Sequence, residues 1–221
     1  MQVAFIDNLE KMIEQNIDKA LLLSSTGTGK TYAAAFAMRH FGFNKVLFVV
    51  HRNQIAKQAM KSFCKVFGES VSMGMVSGTL NKKEIDKDYI FATIQTLSKD
   101  ENLCLFKPEH FEAIIYDEAH HVSAASYKKV MDYLKPQFTL GMTATPDKRD
   151  DYIEGRNIYE IFNHNIAYEI RLQQAMEEDL LCPFHYFGIT DLEWVDDTIG
   201  ENKNSTKEQK LEDFRYLTSD E

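Results

Sequence analysis

The sequence predicts an α/β protein: a mainly parallel sheet with helices on both faces. Three observations lead there. Short apolar runs alternate with segments of helical length through residues 1–170, which is the rhythm of βαβ units. One apolar run, Ala20-Leu21-Leu22-Leu23, passes into a Gly/Ser/Thr-rich stretch and then a helical-looking segment, giving strand, loop and helix in that order. Two further apolar runs, near 113–116 and 138–142, each stop at a short polar cluster.

The elements follow in order. Ile6, Leu9, Ile13 and Ile17 fall three or four residues apart, so the chain opens with an amphipathic helix. Strands are predicted at 20–24, 45–50, 72–76, 89–92, 112–116 and 138–142, because short continuous apolar runs read as buried strands. Helices are predicted at 30–41, 52–67 and 124–134, with shorter ones between. A charged break at 147–151 is followed by a short helix and a strand within 158–170. Residues 172–179 read as helical and 183–189 as strand-like. The remainder, 191–221, is acidic and polar with one helix at 206–217. No repeat or low-complexity tract interrupts the pattern. The expected division is a domain at 1–170, with 171–221 forming a linker and the start of a following region.

Composition sets outer limits. The 221 residues are 44% hydrophobic and 12% aromatic, as in globular proteins, and can bury a sizeable core. No apolar run approaches the ~20 residues of a membrane span. The N-terminal segment has no basic region or small-residue cleavage site of the kind a signal peptide needs. Cys64, Cys104 and Cys182 are isolated and odd in number, which suggests a reducing cytoplasm and argues against a zinc site. The net charge is −9, and residues 191–221 carry ten acids against four bases. The remaining charge is therefore mild. It does not exclude nucleic acid binding along a local groove, and it supplies no basic patch in favour of it.

Chemistry concentrates at Ser24-Ser25-Thr26-Gly27-Thr28-Gly29-Lys30-Thr31. Glycines here let backbone N–H groups converge on phosphate oxygens, and the helix that follows adds its partial positive N-terminus. Lys30 can reach terminal phosphates, and the Thr31 hydroxyl can bind magnesium. The strict G-x-x-x-x-G-K-[ST] pattern would place its first glycine at Ser24. Read alone, the stretch also fits a tight strand-to-helix connection.

A second cluster is Tyr116-Asp117-Glu118-Ala119-His120, where an apolar run ends in adjacent carboxylates. Ligands of parallel α/β sheets sit outside the carboxyl ends of the strands, so these acids would face the glycine loop. Asp117 would then hold magnesium through water, and Glu118 would orient and deprotonate an attacking water. A strand end capped by solvated acids is the plainer reading of this segment alone. The third cluster, Thr143-Ala144-Thr145-Pro146, is by itself a turn.

Taken together and in this order, the three clusters resemble the first RecA-like motor domain of superfamily 2 helicases and translocases. Ser24 to Thr31 resembles motif I. Asp-Glu-Ala-His at 117–120 resembles motif II, and Thr-Ala-Thr at 143–145 resembles motif III. Two weaker matches fall between them: residues 46–58 resemble motif Ia, and Phe91-Ala-Thr-Ile-Gln-Thr-Leu97 resembles motif Ib. The resemblance spans about residues 2–170. His51-Arg52-Asn53-Gln54-Ile55 is closer to restriction-enzyme motor subunits and DNA translocases than to the Pro-Thr-Arg-Glu-Leu of DEAD-box RNA helicases.

The resemblance implies a RecA-like P-loop sandwich of three layers, with ATP and Mg2+ as cofactors. It implies that Thr26, Gly27, Thr28, Gly29, Lys30 and Thr31 bind the nucleotide and that Thr31 and Asp117 hold the metal. Lys30, Asp117 and Glu118 would be catalytic. Gln2 stands where the family has an adenine-reading segment. His120, Thr143 and Thr145 would couple the nucleotide site to movement, with a plain strand end or turn as the competing reading. Arg52 and Thr93 would contact a nucleic-acid backbone, DNA in preference to RNA; for Arg52 a solvated helix start competes evenly. No role is assigned to His121.

Motifs IV to VI, including an arginine finger, belong to a second RecA-like domain that these residues do not contain. An arginine finger is worth about 10³–10⁵ in rate, so the polypeptide alone is expected to hydrolyse ATP poorly. Both ends read as interior to a longer protein. The implied partners are nucleic acid, that second domain, and a nuclease or specificity subunit, with no membrane. Three other readings remain at this stage: another P-loop enzyme such as a kinase or transporter ATPase, a nucleotide-gated binding module without turnover, and an RNA helicase domain.

Overall fold

A computed structural model describes residues 2–76, 78, 82–146 and 157–182. The predicted strand-like 183–189 and the helix at 206–217 lie outside the described residues. A compact unit ends at Cys182.

The chain opens with α1 (Gln2–Glu14), β1 (Lys19–Ser24), α2 (Lys30–His40), β2 (Val46–Val50) and α3 (Asn53–Phe67). It continues through β3 (Met73–Val76), α4 (Lys82–Ile85), β4 (Tyr89–Thr93), α5 (Ile94–Leu97), α6 (Asp100–Leu103) and β5 (Ala113–Asp117). A 3₁₀ turn (Ala119–His121) leads to α7 (Ala125–Tyr133), β6 (Phe138–Thr143), α8 (Ile158–Ile161), β7 (Ile166–Ile170) and α9 (Leu172–Glu177). The predicted strands and long helices agree with these within one or two residues.

One boundary differs. The helix expected to run through Ile17 ends at Glu14. Asn16 takes a left-handed φ of 59°, and the N–H groups of Asn16 and Ile17 turn back to the carbonyls of Ile13 and Met12. This is a Schellman closure, in which a left-handed residue satisfies the last helical carbonyls. Hydrophobic spacing registers Ile17 but not the backbone reversal that precedes it.

Seven strands form one sheet among the described residues, in the order β3-β4-β2-β5-β6-β1-β7, and every pairing is parallel. Alternate residues feed two cores. Ala20 and Leu22 of β1, with Val46, Phe48 and Val50 of β2, pack under α1, α2 and α3. Leu21, Leu23, Leu47 and Val49 point to the other face, under α5 to α8. The interior strands β1, β2, β4 and β6 are buried almost throughout. The edge strands β3 and β7 are only partly buried. Full coverage of interior strands is why they read as continuous apolar runs and not as alternating ones.

Phe63 of α3 anchors the first core. It is fully buried, with ring centroids 5.3 Å from Phe91, 5.5 Å from Phe48 and 6.0 Å from Tyr89. Phe63→Ala is expected to cost about 3–5 kcal/mol, since the neighbouring rings cannot fully close the cavity. The check is thermal melting, where the loss reads as a drop on the order of 10 °C.

Parallel pairing places all carboxyl strand ends along one edge. Reading across it, Thr93 ends β4, His51 and Arg52 follow β2, Asp117 ends β5, Thr143 ends β6, and the glycine loop follows β1.

Candidate active site

The loop between β1 and α2 is held by its own side chains. Gly27 and Gly29 adopt φ of 86° and 89°, a region that L side chains rarely enter. Gly29 is the residue from which α2 starts. The Thr28 hydroxyl donates to the Ser25 carbonyl at 2.8 Å and also contacts the Ser24 hydroxyl. Ser24, at the position of the strict pattern's first glycine, thus braces the loop from a buried site. Lys30 Nζ curls back to the carbonyls of Ser24 (2.7 Å) and Ser25 (3.0 Å). Carbonyl oxygens there occupy positions where anionic oxygens are the stronger acceptors for an ammonium group. Burial lowers the Lys30 pKa, with Asp117 and Glu118 opposing that shift.

Asp117 and Glu118 face this loop. Thr26, Gly27, Gly29, Lys30, Thr31 and both acids share the lining of a cleft of about 340 Å³. Burial, and secondarily the charge of Glu118, pushes the Asp117 carboxyl up to about 6. A site that crowds two carboxylates beside a lysine suits a divalent cation and a polyanion together. The residues present therefore fit a magnesium nucleotide.

The raised pKa has a direct consequence for the metal-free protein. Asp117 holds its proton in the fold between its ordinary 3.8 and about 6, whereas the unfolded chain has lost it. Stability from this group is therefore full below about pH 3.8 and is lost as pH rises through about 6. Melting in a chelating buffer across that window is expected to show the decline, and Asp117→Asn to remove it.

Glu118 itself sits in a left-handed conformation, φ 52° and ψ 49°, which a non-glycine residue adopts at a cost of order 1–2 kcal/mol. The bend places its carboxylate 3.3 Å from His120 Nδ1. That nitrogen is also 2.9 Å from Thr143 Oγ1 and 3.5 Å from Thr145 Oγ1. The Thr145 N–H in turn donates to Thr143 Oγ1 at 3.2 Å. Asp117–His120 and Thr143–Thr145 are thus in hydrogen-bond contact through His120.

The remaining predicted residues fall into place less uniformly. Gln2 begins α1 beside the loop; its amide nitrogen is 3.9 Å from where a Cβ on Gly29 would stand. Arg52 is exposed and caps α3. Thr93 is buried, and its hydroxyl is engaged in capping α5, accepting from Thr96 N–H and donating to the Thr96 hydroxyl. Thr93 ends β4 and Arg52 follows the neighbouring β2, with Val50 opposite Thr93 in the ladder.

Sequence reasoning missed part of the cleft. Ile55, Gln58, Ala59 and Ser62 of α3 form one wall; their i, i+3, i+4, i+7 spacing was the available signal. It also missed Leu181, whose Cδ2 lies 3.1 Å from a Cβ position on Gly27, and for this contact no local signal exists.

Residues 1–148 match the family described as type III restriction enzyme, res subunit. The chain belongs to that family. Its recognised place is that of a superfamily 2 helicase N-terminal domain with a RecA-like fold. The chain is also similar to the type I restriction enzyme EcoAI endonuclease subunit of Escherichia coli. It is 27% identical over 196 residues, covering 83% of this chain and 23% of that protein. The chain thus spans about a quarter of that relative's length. Among solved structures, a nuclease-deletion mutant of the type ISP restriction-modification enzyme LlaGI, in complex with a DNA substrate mimic, superposes with a TM-score of 0.61. The identity is 21%, over 81% of this chain and 20% of that one. The Hef helicase domain of Pyrococcus furiosus gives 0.58 at 20% identity, over 73% of this chain and 37% of that one. At such identities the structures speak to the fold alone.

Proposed function

We propose that the chain is the ATP- and magnesium-binding first motor domain of a DNA translocase or helicase, working with a second RecA-like domain. One observation carries the reading: Lys30 and the Asp117–Glu118 pair, distant in sequence, line one cleft at the carboxyl edge of the sheet. The loop N–H groups of Thr26 to Thr31 and the start of α2 cradle phosphates. Lys30 contacts the terminal phosphates, Thr31 and Asp117 hold magnesium, and Gln2 lies toward the base. Magnesium, when bound, supplies charge neutralisation for the phosphates. Glu118 orients water and accepts its proton. His120 passes changes at Glu118 to Thr143 and Thr145. Arg52 and Thr93 approach a strand backbone without reading bases.

Lys30 is the only cation lining the cleft among the described residues. That supports an arginine supplied from a second domain, and it also favours the second reading, a nucleotide-gated binding module without turnover. DNA is preferred because two of the proteins named above are restriction enzymes and one of those was solved with a DNA substrate mimic; a nuclease or specificity subunit would be a partner in that setting. A cytoplasmic location suits three exposed free cysteines, and no described helix is long and apolar enough to cross a membrane.

The test is calorimetric titration of ATP with and without magnesium, followed by phosphate release with single-stranded DNA, double-stranded DNA and RNA. Magnesium-dependent binding with slow turnover supports half a motor. Binding with no turnover on any nucleic acid favours the module, and stimulation by RNA alone favours an RNA helicase domain. Absence of nucleotide binding overturns the assignment.

A further inference from the structure

His121 lies between two other imidazoles. Its ring centroid is 4.1 Å from that of His120 and 5.5 Å from that of His51. His120 belongs to the carboxylate cluster through Glu118 and Thr143. His51 follows β2 and immediately precedes Arg52, the cap of α3. Val49 of β2 pairs with Tyr116 of β5, so the two strand ends emerge side by side. The rings make a continuous path from Glu118 to the start of α3. They are not a metal set, since no group of three or more His, Cys, Asp or Glu among the described residues could hold an ion.

The turn carrying His120 and His121 is closed by His121 N–H to the Glu118 carbonyl and Val122 N–H to the Ala119 carbonyl, both at 3.0 Å. A rotation at Glu118 therefore carries the His121 ring with it. On the receiving side, the Arg52 carbonyl accepts from the N–H groups of Ile55 and Ala56, so a shift at His51 enters the first turn of α3. His51 Nδ1 is buried without a hydrogen-bond partner. Buried polar atoms are normally satisfied; no hydrogen bond at Nδ1 fixes this ring, and His121 is one of the rings against it.

We infer that His121 and His51 are positioning residues that couple occupancy of the phosphate cleft to strand binding at the start of α3. The inference rests on the motor-domain reading. Each acts through ring contact. Coupling of this kind is a free energy shared by two sites and is reciprocal.

The experiment measures that shared energy in the full chain. A fluorescein-labelled single-stranded oligodeoxynucleotide is titrated with and without a saturating non-hydrolysable ATP analogue and magnesium. For the wild-type chain the analogue is expected to change oligonucleotide affinity by roughly 5–150-fold. His121→Ala and His51→Ala are expected to bind each ligand alone within about twofold of wild type while the coupling factor falls toward one. The double variant should be no worse than either single, because both remove the same contact. His121→Phe keeps a ring in place and should retain most of the coupling, which separates positioning from unfolding. Unchanged coupling in His121→Ala, additive losses in the double variant, or a wild-type chain that binds both ligands without coupling would each overturn the relay and leave the motor reading standing. A chain that binds no nucleotide would remove both.

Discussion

Lys30→Ala is expected to lower affinity for magnesium ATP by about 30- to 1000-fold, leaving the fold intact. The ammonium is the sole cation lining the cleft among the described residues, and it lies beside two acids. Each charge-assisted hydrogen bond to a phosphate oxygen contributes roughly 1.5–3 kcal/mol, and 2–4 kcal/mol in total gives that range of affinity. Without Lys30, no protein cation lining the cleft would offset Asp117 and Glu118 against the phosphates. The bonds lost in the free protein run to the Ser24 and Ser25 carbonyls in an open cleft, where water can replace the ammonium. The melting temperature should therefore move little. Titration of a fluorescent ATP analogue gives the answer, and undiminished affinity in the variant would remove Lys30 from the phosphate site.

Glu118→Gln should separate binding from chemistry. The amide keeps the shape and the ability to accept from His120, and it loses the capacity to take a proton. A positioned general base contributes about 10²–10⁴ in rate, so hydrolysis is expected to fall by that factor while ATP affinity stays near wild type. The left-handed backbone at Glu118 is tolerated equally by the amide. Slow turnover calls for protein in excess over ATP, so that a single event per site is recorded as phosphate release over hours. A variant as active as wild type would move the base elsewhere, with Asp117, already held near pH 6, as the next group to test.

Much of this architecture was written in local pattern. The glycine loop, Lys30, Thr31 and the two carboxylates were legible because their spacing relative to apolar runs carries the signal. The element positions were legible for the same reason. Other features were not. The cap that the Thr93 hydroxyl gives α5 through Thr96 is decided by one short turn, and a strand-binding reading of Thr93 does not disclose it. His121 had no role in sequence, and acquires neighbours only because β2 and β5 pair with Val49 opposite Tyr116. Gln58 and Ser62 had no role of their own in sequence, and they line the cleft only because α3 lies against it.

The sequence by itself determined the class of fold, the order of strands and helices along the chain, and the residue types of the two clusters at 24–31 and 117–120. Those depend on periodicity and turn chemistry, which act over a few residues. Tertiary structure alone decided that β5 and β6 separate β2 from β1, that α3 walls the cleft shared by Lys30 and Asp117, and that three histidines line up beside it. Those depend on which strands pair and in what register, and pairing is chosen by the burial of whole faces, not by any single segment.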